Sequence, residues 1–305
     1  MKTLIATEKP FAEEAITGIR QIIENAGGTL HLLEKYTDTN TLYNAVADAD
    51  ALIVRSDKVT KTLIDAAKQL KIVTRAGAGY DNIDLPACTA RGIVAMNTPG
   101  QNANAVAELA IGLMIYAARN TFQPGTGTEL KNKKLGIHAY GNVGRQVAKL
   151  GKGLGMETLA FDPFIPNNTI TQDNVQPCTS VEELYQTCHY ISLHIPATEQ
   201  TKQSIGRRLL STMPKGGCLI NTARKEIIHE NELADILHQR PDIKYITDIA
   251  PDNHTTLQKN FGTRYFATPK KIGAETTQAN INAGIAAAQQ IVNFFTHNDR
   301  TFQLN

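Results

Sequence analysis

Short apolar or β-branched runs alternate along the chain with stretches whose apolar positions return at helical spacing. In the first third the pattern predicts strands at Thr3–Ala6, Thr29–Leu33, Ala51–Val54 and Lys71–Thr74, with helices near Phe11–Ala26, Leu42–Val46 and Lys61–Ala67 between them. Strand, helix, strand in regular alternation argues for parallel strands joined by helical crossovers, and hence for a doubly wound α/β unit.

A long apolar helix, Ala105–Arg119, comes next, followed by a Gly/Thr/Pro-rich stretch at 123–128 that reads as a loop or linker. Beyond it the pattern predicts a second sheet from Lys134–His138, Thr158–Phe161, Tyr190–His194, Cys218–Asn221 and Tyr245–Thr247, each strand followed by a turn with Gly, Pro, Asp or Asn. In such sheets ligands bind past the C-terminal ends of the strands. The last helical pattern, Thr276–Phe295, carries Ala279, Ala283, Ala286 and Ala287 and is expected to return to the first unit.

At 305 residues the chain is long enough for two domains whose cores need no disulfide or structural metal. Its 31 basic and 29 acidic residues leave a net charge of +2, without the basic stripe of a dedicated nucleic-acid binder. Cys88, Cys178, Cys188 and Cys218 stand far apart with no CxxC pair, so no zinc site or disulfide framework is indicated, and a reducing, cytoplasmic location fits. Met1–Pro10 lacks a signal-peptide pattern, and the longest apolar stretch, Ala105–Ala118, is broken by Glu108; no membrane segment is expected.

The run Leu135–Arg145 (LGIHAYGNVGR) sets an apolar strand before a tight turn, with Gly141 and Gly144 spaced as the second and third glycines of a dinucleotide fingerprint. Ala139 replaces the first glycine and must tolerate the turn. Gly141 would let the backbone approach a pyrophosphate, Gly144 would let the next helix lie close on the strand, and the helix N-terminus through Asn142 and Val143 would offer N–H groups. Asp162 ends the next apolar run, about 20 residues further on, where a carboxylate accepts from ribose hydroxyls and repels a 2′-phosphate; NAD is favoured over NADP.

Four more segments follow in a set order: 97–108 (NTPGQNANAVAE), 192–198 (SLHIPAT), Asn221–Arg224 (NTAR) and Thr247-Asp248. Together with the dinucleotide run they resemble the D-2-hydroxyacid dehydrogenase family. In the first unit, 54–58 (VRSDK) and 75–82 (RAGAGYDN) look like the substrate loops of the branch that oxidises D-3-phosphoglycerate. The resemblance covers nearly the whole chain, in a short form without a C-terminal regulatory domain. It implies a Rossmann-type nucleotide domain, residues 97–275, inserted into a smaller flavodoxin-like substrate domain formed by 1–96 and 276–305. The activity implied is NAD-dependent oxidation of 3-phosphoglycerate to 3-phosphohydroxypyruvate in serine biosynthesis, by a homodimer joined through the nucleotide domain.

Residue by residue, the resemblance puts the catalytic arginine at Arg224, where a planar fork of donors can hold the substrate carboxylate. Arg55, Ser56 and Lys58 are suited to the 3-phosphate, and the Gly77–Gly79 turn to the carboxylate, with Ala76 and Asn102 beside it and Asn82 holding the loop. Tyr140, His194, Pro196, Thr201, Thr222, Ala223, Asp248 and Gly273 take cofactor positions, Asp248 orienting either the nicotinamide carboxamide or the active-site loop; no metal is implied.

The departure is at the base. Relatives carry a Glu–His pair; here Asn253 holds the glutamate slot and 268–274 (TPKKIGA) lacks histidine. Counting from Pro269 puts Lys270 in the histidine's place, and counting back from Gly273 puts Lys271 there. The expectation is that one of them handles the hydroxyl proton, its pKa lowered from about 10.4 by desolvation beside the nicotinamide and Arg224. His254 is a competing base, more simply a surface-loop histidine. Two rival readings stand: an enzyme of the glycerate/hydroxypyruvate or D-lactate type, with no phosphate to bind, and an NAD-sensing corepressor-like module that has lost catalysis.

Overall fold

A computed structural model describes the chain from Met1 to Asn305. The first sheet holds five strands, β1 (Lys2–Thr7), β2 (Thr29–Glu34), β3 (Ala51–Val54), β4 (Ile72–Arg75) and β5 (Val94–Asn97), in the order β2-β1-β3-β4-β5, all parallel. Between them run α1 (Glu13–Asn25), α2 (Thr39–Val46), α3 (Lys61–Ala66) and α4 (Leu85–Ala90). Successive side chains of a strand face opposite ways, so Leu4, Leu52 and Val73 pack with α2–α4, while Ile5, Ile53 and Ile72 pack with α1 and a helix from the chain's end. The short helices start on side-chain caps: Asp38 accepts the Asn40 N–H, Thr60 that of Leu63 and Asp84 that of Ala87.

The second sheet follows α5 (Ala103–Ala118). Its strands are β6 (Lys134–His138), β7 (Glu157–Phe161), β8 (Gln176–Pro177), β9 (Tyr190–Leu193), β10 (Cys218–Asn221), β11 (Lys244–Thr247) and β12 (Tyr265–Ala267). They lie in the order β12-β11-β10-β9-β6-β7-β8, all parallel, with the direction of winding reversing between β6 and β9. α6 (Asn142–Gly153) covers one face with α5; α7 (Asn167–Gln172), α8 (Val181–Thr187), α9 (Arg207–Leu210), α10 (Glu230–Gln239) and α11 (His254–Phe261) complete the layers. Strands β9 and β10 are buried at every position, as continuous apolar runs in a sheet covered on both sides should be. The two doubly wound α/β sheets expected from the sequence pattern are therefore present.

α12 (Thr277–His297), capped by Thr276 through the Ala279 N–H, belongs with the first unit, where Ala283, Ala287, Ala288 and Ile291 are buried. The first unit spans Met1–Asn102 and Glu275–Asn305, the second Ala103–Ala274. The first unit thus runs past residue 96: Asn97 ends β5, and the Thr98 hydroxyl is bound to Gly77. The chain end also serves this unit. Gln303 bridges Met96 antiparallel, and Leu304 N–H reaches the Ala95 carbonyl at 2.9 Å, satisfying the open edge of β5.

Candidate active site

The dinucleotide turn joins β6 to α6. Ala139 has φ +78°, the left-handed conformation that a glycine takes without strain and an alanine does not. Gly144 is required by contact, because a Cβ there would lie 2.4 Å from the Ala139 carbonyl oxygen. At Gly141, the N-cap of α6, a Cβ would meet nothing within 4 Å; the space over this backbone is open to a ligand. Gly141 and Asn142 are exposed, and the first-turn N–H groups of α6 point out of the helix end. Asp162, after β7, accepts the Tyr140 and Phe164 N–H groups, both at 2.8 Å, one on each carboxylate oxygen. Each oxygen keeps lone pairs for a further donor. Tyr140 itself turns into the core: it is 0% exposed, its hydroxyl donates to Asp173 at 3.0 Å, and its ring lies under Arg145. Its contribution to the turn is the main-chain N–H.

At the ends of β9, β10 and β11 lie the other cofactor candidates. The His194 Nε2 and the Thr222 hydroxyl are enclosed without a protein partner, which buried polar groups seldom are. Burial pushes His194 down to about 3, with a smaller push from His138, and burial takes His138 to about 4; both rings are neutral at physiological pH. His138 Nδ1 meets the Tyr185 hydroxyl at 3.3 Å. The Thr201 hydroxyl donates to the Pro196 carbonyl and accepts the Thr198 N–H at 2.8 Å, shaping the loop after β9. Open backbone at Gly141, a carboxylate at the end of β7 and two orphaned polar atoms at the strand ends suit a dinucleotide. No group of three or more His, Cys, Asp or Glu is placed to hold a metal ion.

Arg224 follows β10 in extended conformation, half-buried, with Nη1 donating to the Ala223 carbonyl at 2.9 Å. Asp248 is 0% exposed and gathers the loop after β12: Oδ1 accepts from the Thr268 hydroxyl at 2.8 Å and Ile272 N–H at 3.0 Å, and Oδ2 accepts Gly273 N–H at 2.8 Å. These carboxylate contacts are all with the loop that follows β12. Lys270 and Lys271 project from that loop and are both exposed. Asn253 is bound to Glu230 through its N–H at 3.0 Å, and His254 Nδ1 meets the Tyr265 hydroxyl at 2.7 Å.

In the first unit, Arg55 is committed to structure: Nη2 reaches Asn280 Oδ1 at 2.5 Å, Nη1 the Pro10 carbonyl at 3.4 Å, and the guanidinium lies over Phe11. Ser56 and Lys58 are exposed. Asn82 holds this loop through the Asp57 and Arg55 carbonyls. The N–H groups of Ala76 and Gly77 are already bonded, to the Val54 carbonyl and the Thr98 hydroxyl, so the N–H donors left in the turn are those of Ala78 and Gly79. Gly77 has φ +147°, and a Cβ there would strike the Arg75 guanidinium at 2.0 Å. Asn102 is half-buried at the end of the unit. The Arg55–Asn280 contact has no signal in the sequence, because its halves come from opposite ends of the chain. The Thr98 bond to Gly77 lies hidden inside a motif valued for other residues.

Residues 109–269 match the family described as D-isomer specific 2-hydroxyacid dehydrogenase, NAD binding domain. The D-3-phosphoglycerate dehydrogenase of Methanocaldococcus jannaschii is 34% identical over 95% of this chain and 57% of its own length. This chain thus spans little more than half of that relative. The hydroxypyruvate reductase of Thermotoga maritima is 33% identical over 86% of this chain and 90% of its own. Among solved structures, the NAD+-bound 3-phosphoglycerate dehydrogenase of Entamoeba histolytica aligns with a TM-score of 0.88 and 49% identity, covering 100% of this chain and 98% of the other.

Proposed function

Because the chain belongs to the D-isomer specific 2-hydroxyacid dehydrogenase family, we propose that it oxidises D-3-phosphoglycerate to 3-phosphohydroxypyruvate with NAD, feeding serine biosynthesis. The observation that carries the reading is Arg224, held at the end of β10 in the same sheet that carries the dinucleotide turn and Asp162. Relatives named D-3-phosphoglycerate dehydrogenase, aligned over nearly all of this chain, support the substrate.

Bound NAD supplies a nicotinamide carbon that accepts the hydride from C2 of the hydroxy acid. The chain's own residues do the rest. Gly141 and the first-turn N–H groups of α6, Asn142 to Gly144, hold the pyrophosphate; Asp162 accepts from the ribose and excludes a 2′-phosphate by charge. His194 and Thr222 offer their enclosed polar atoms to the cofactor, Pro196, Thr201 and Ala223 shape the loops around it, and Asp248 with Gly273 fixes the lysine loop. Arg224 grips the substrate carboxylate and steadies the charge that grows on the C2 oxygen. Lys270 or Lys271, as its neutral amine, takes the hydroxyl proton and becomes an ammonium, shielded from water only when cofactor and substrate cover it. Ser56 and Lys58, with Arg55 behind them, serve the phosphate; Ala76, Gly77 and Asn102 frame the turn whose Ala78 and Gly79 N–H groups remain to donate.

One observation favours a second reading, a glycerate/hydroxypyruvate enzyme: Arg55 is engaged by Asn280 and Pro10, and the Thermotoga relative is a hydroxypyruvate reductase. NADH formation from 3-phosphoglycerate and from D-glycerate decides. A preference for the phosphorylated acid supports the proposal, and equal or better use of D-glycerate overturns it. No NADH from either acid while NAD still binds would favour the corepressor-like reading.

A cytoplasmic homodimer joined through α5 belongs to the same proposal. Supporting it, Ile115 is exposed on α5 and Phe122, 67% exposed, stands on Tyr116 with ring centroids 5.2 Å apart. No helix is long and apolar enough to cross a membrane. Light scattering that gives a monomer's mass removes the dimer.

A further inference from the structure

One side chain ties the Arg224 turn down from the inside. Asn221, the last residue of β10, is 0% exposed. Its Oδ1 accepts the Ala223 N–H at 3.0 Å, and its Nδ2 donates to the Arg224 carbonyl at 2.9 Å and to the Tyr245 hydroxyl at 3.2 Å. The neighbours fix which end of the amide is oxygen, since a main-chain N–H can only donate and a carbonyl can only accept. The Asn221 carbonyl faces the adjacent strand, accepting the Asp248 N–H at 2.9 Å and the Thr247 hydroxyl at 3.0 Å. A single residue therefore sets the Arg224 turn against the end of β11, where Asp248 gathers the lysine loop.

Tyr245 backs this arrangement from within the core. It is 0% exposed and stacks on Tyr265 with centroids 6.0 Å apart. Burial pushes its hydroxyl up to about 12, so it stays protonated and available to the amide.

We propose that Asn221, supported by the Tyr245 hydroxyl, is the positioning residue that sets the pose of Arg224 toward the substrate carboxylate. The inference rests on the proposed role of Arg224 as the carboxylate grip. A bidentate fork rewards only a narrow range of poses, and a misplacement of about 1 Å can cost about 100-fold in rate. The residue that carries the fork is in extended backbone between a strand and a 3-10 turn, so no helix holds it. Its carbonyl is held by Asn221.

Asn221→Asp tests the proposal with almost no change in volume. The ionised carboxylate still accepts from Ala223 but sets a negative oxygen against the Arg224 carbonyl. Once protonated, its O–H donates to that carbonyl and restores the clamp. At pH 8.5, kcat/KM for the hydroxy acid should fall about 100-fold while NADH affinity, read by fluorescence, stays within about twofold of wild type. As pH falls to 5.5, the ratio of variant to wild-type kcat/KM should recover about tenfold or more as the carboxyl protonates. Tyr245→Phe removes one acceptor and keeps the shape, so a loss of about threefold in kcat/KM is expected. Asn221→Asp kcat/KM at the wild-type level, a ratio flat with pH, or NADH affinity falling in step would each overturn the proposal. Should Asn221→Asp not fold, an unchanged kcat/KM in Tyr245→Phe overturns it. Hydrogen exchange of the 221–227 peptide reads the clamp without substrate: faster than wild type at pH 8.5 and converging at pH 5.5. If the wild type oxidises no 2-hydroxy acid, the functional reading fails on that count, and the exchange result still decides whether Asn221 holds the turn.

Discussion

The turn between β6 and α6 and the loop from Thr268 to Gly273 are both fixed by a carboxylate, and otherwise have little in common. The first is built from beneath: Ala139 is in the left-handed region, Gly144 touches it, the Tyr140 ring fills the core and Asp162 takes two main-chain N–H groups. The second is drawn in at its rim by Asp248, while its two lysines are exposed. A binding surface can be finished before its ligand arrives. A proton-handling amine gains the environment it needs only when the reactants cover it.

The strongest way to break this contrast is to remove both amines. Lys270→Ala with Lys271→Ala should lower kcat about 1,000-fold with NADH affinity unchanged, in the range expected for a lost general base; stopped-flow NADH formation with a fluorescence titration checks both halves. If turnover survives, the loop does not carry the base. Restoring one lysine at a time then shows which of them acts.

Next in size is the anchor. Asp248→Asn sets an amide hydrogen against main-chain donors and leaves the Thr268, Ile272 and Gly273 groups short of an acceptor. A loss of about 3 kcal/mol in urea unfolding is expected, with turnover falling too.

A third test belongs to the turn. His138 is 8% exposed and its pKa drops to about 4, from 6.5, by burial. Its folded pKa lies below the unfolded one, so the unfolded chain binds the extra proton first. Stability should therefore fall as pH drops from about 6.5 to about 4 and level off below, by about 3 kcal/mol for this one group. Chemical denaturation at several pH values reads the slope, and His138→Gln should remove this group's share of it while leaving that of His194, which burial also holds low.

The smallest expected effect sharpens the contrast. Ala139→Gly relieves a left-handed alanine and should stabilise the protein by about 1 kcal/mol, seen as a rise of about 2 °C in Tm. No rise would mean that the chain has relaxed around the alanine.

Why one region was legible and the other less so follows from distance along the chain. Gly141, Gly144 and Asp162 act through spacing within one strand–turn–helix–strand stretch, which a sequence displays openly. The alternation of apolar runs likewise predicts β3, β6 and β10 with their boundaries. Three short strands escape it. β8 is two residues ending in a proline that only a sheet edge accepts, β12 is a three-residue edge strand, and β5 runs straight into the 97–108 motif. In the site, the missing glutamate and histidine could be seen, yet not the partners of what replaced them: Asp248 and the loop it gathers are some 20 residues apart, and Arg55 meets Asn280 across most of the chain.

The doubly bonded carboxylate of Asp162 carries one more consequence. It is a keystone of main-chain folding as well as the proposed reader of the ribose, so on that proposal selectivity and architecture share a single side chain. Re-engineering the protein toward a phosphorylated dinucleotide by exchanging this acid for a neutral or basic residue would orphan the Tyr140 and Phe164 amides and loosen the very bend the ligand sits on. A successful conversion must first supply those two amides with new acceptors, and only then add the cation.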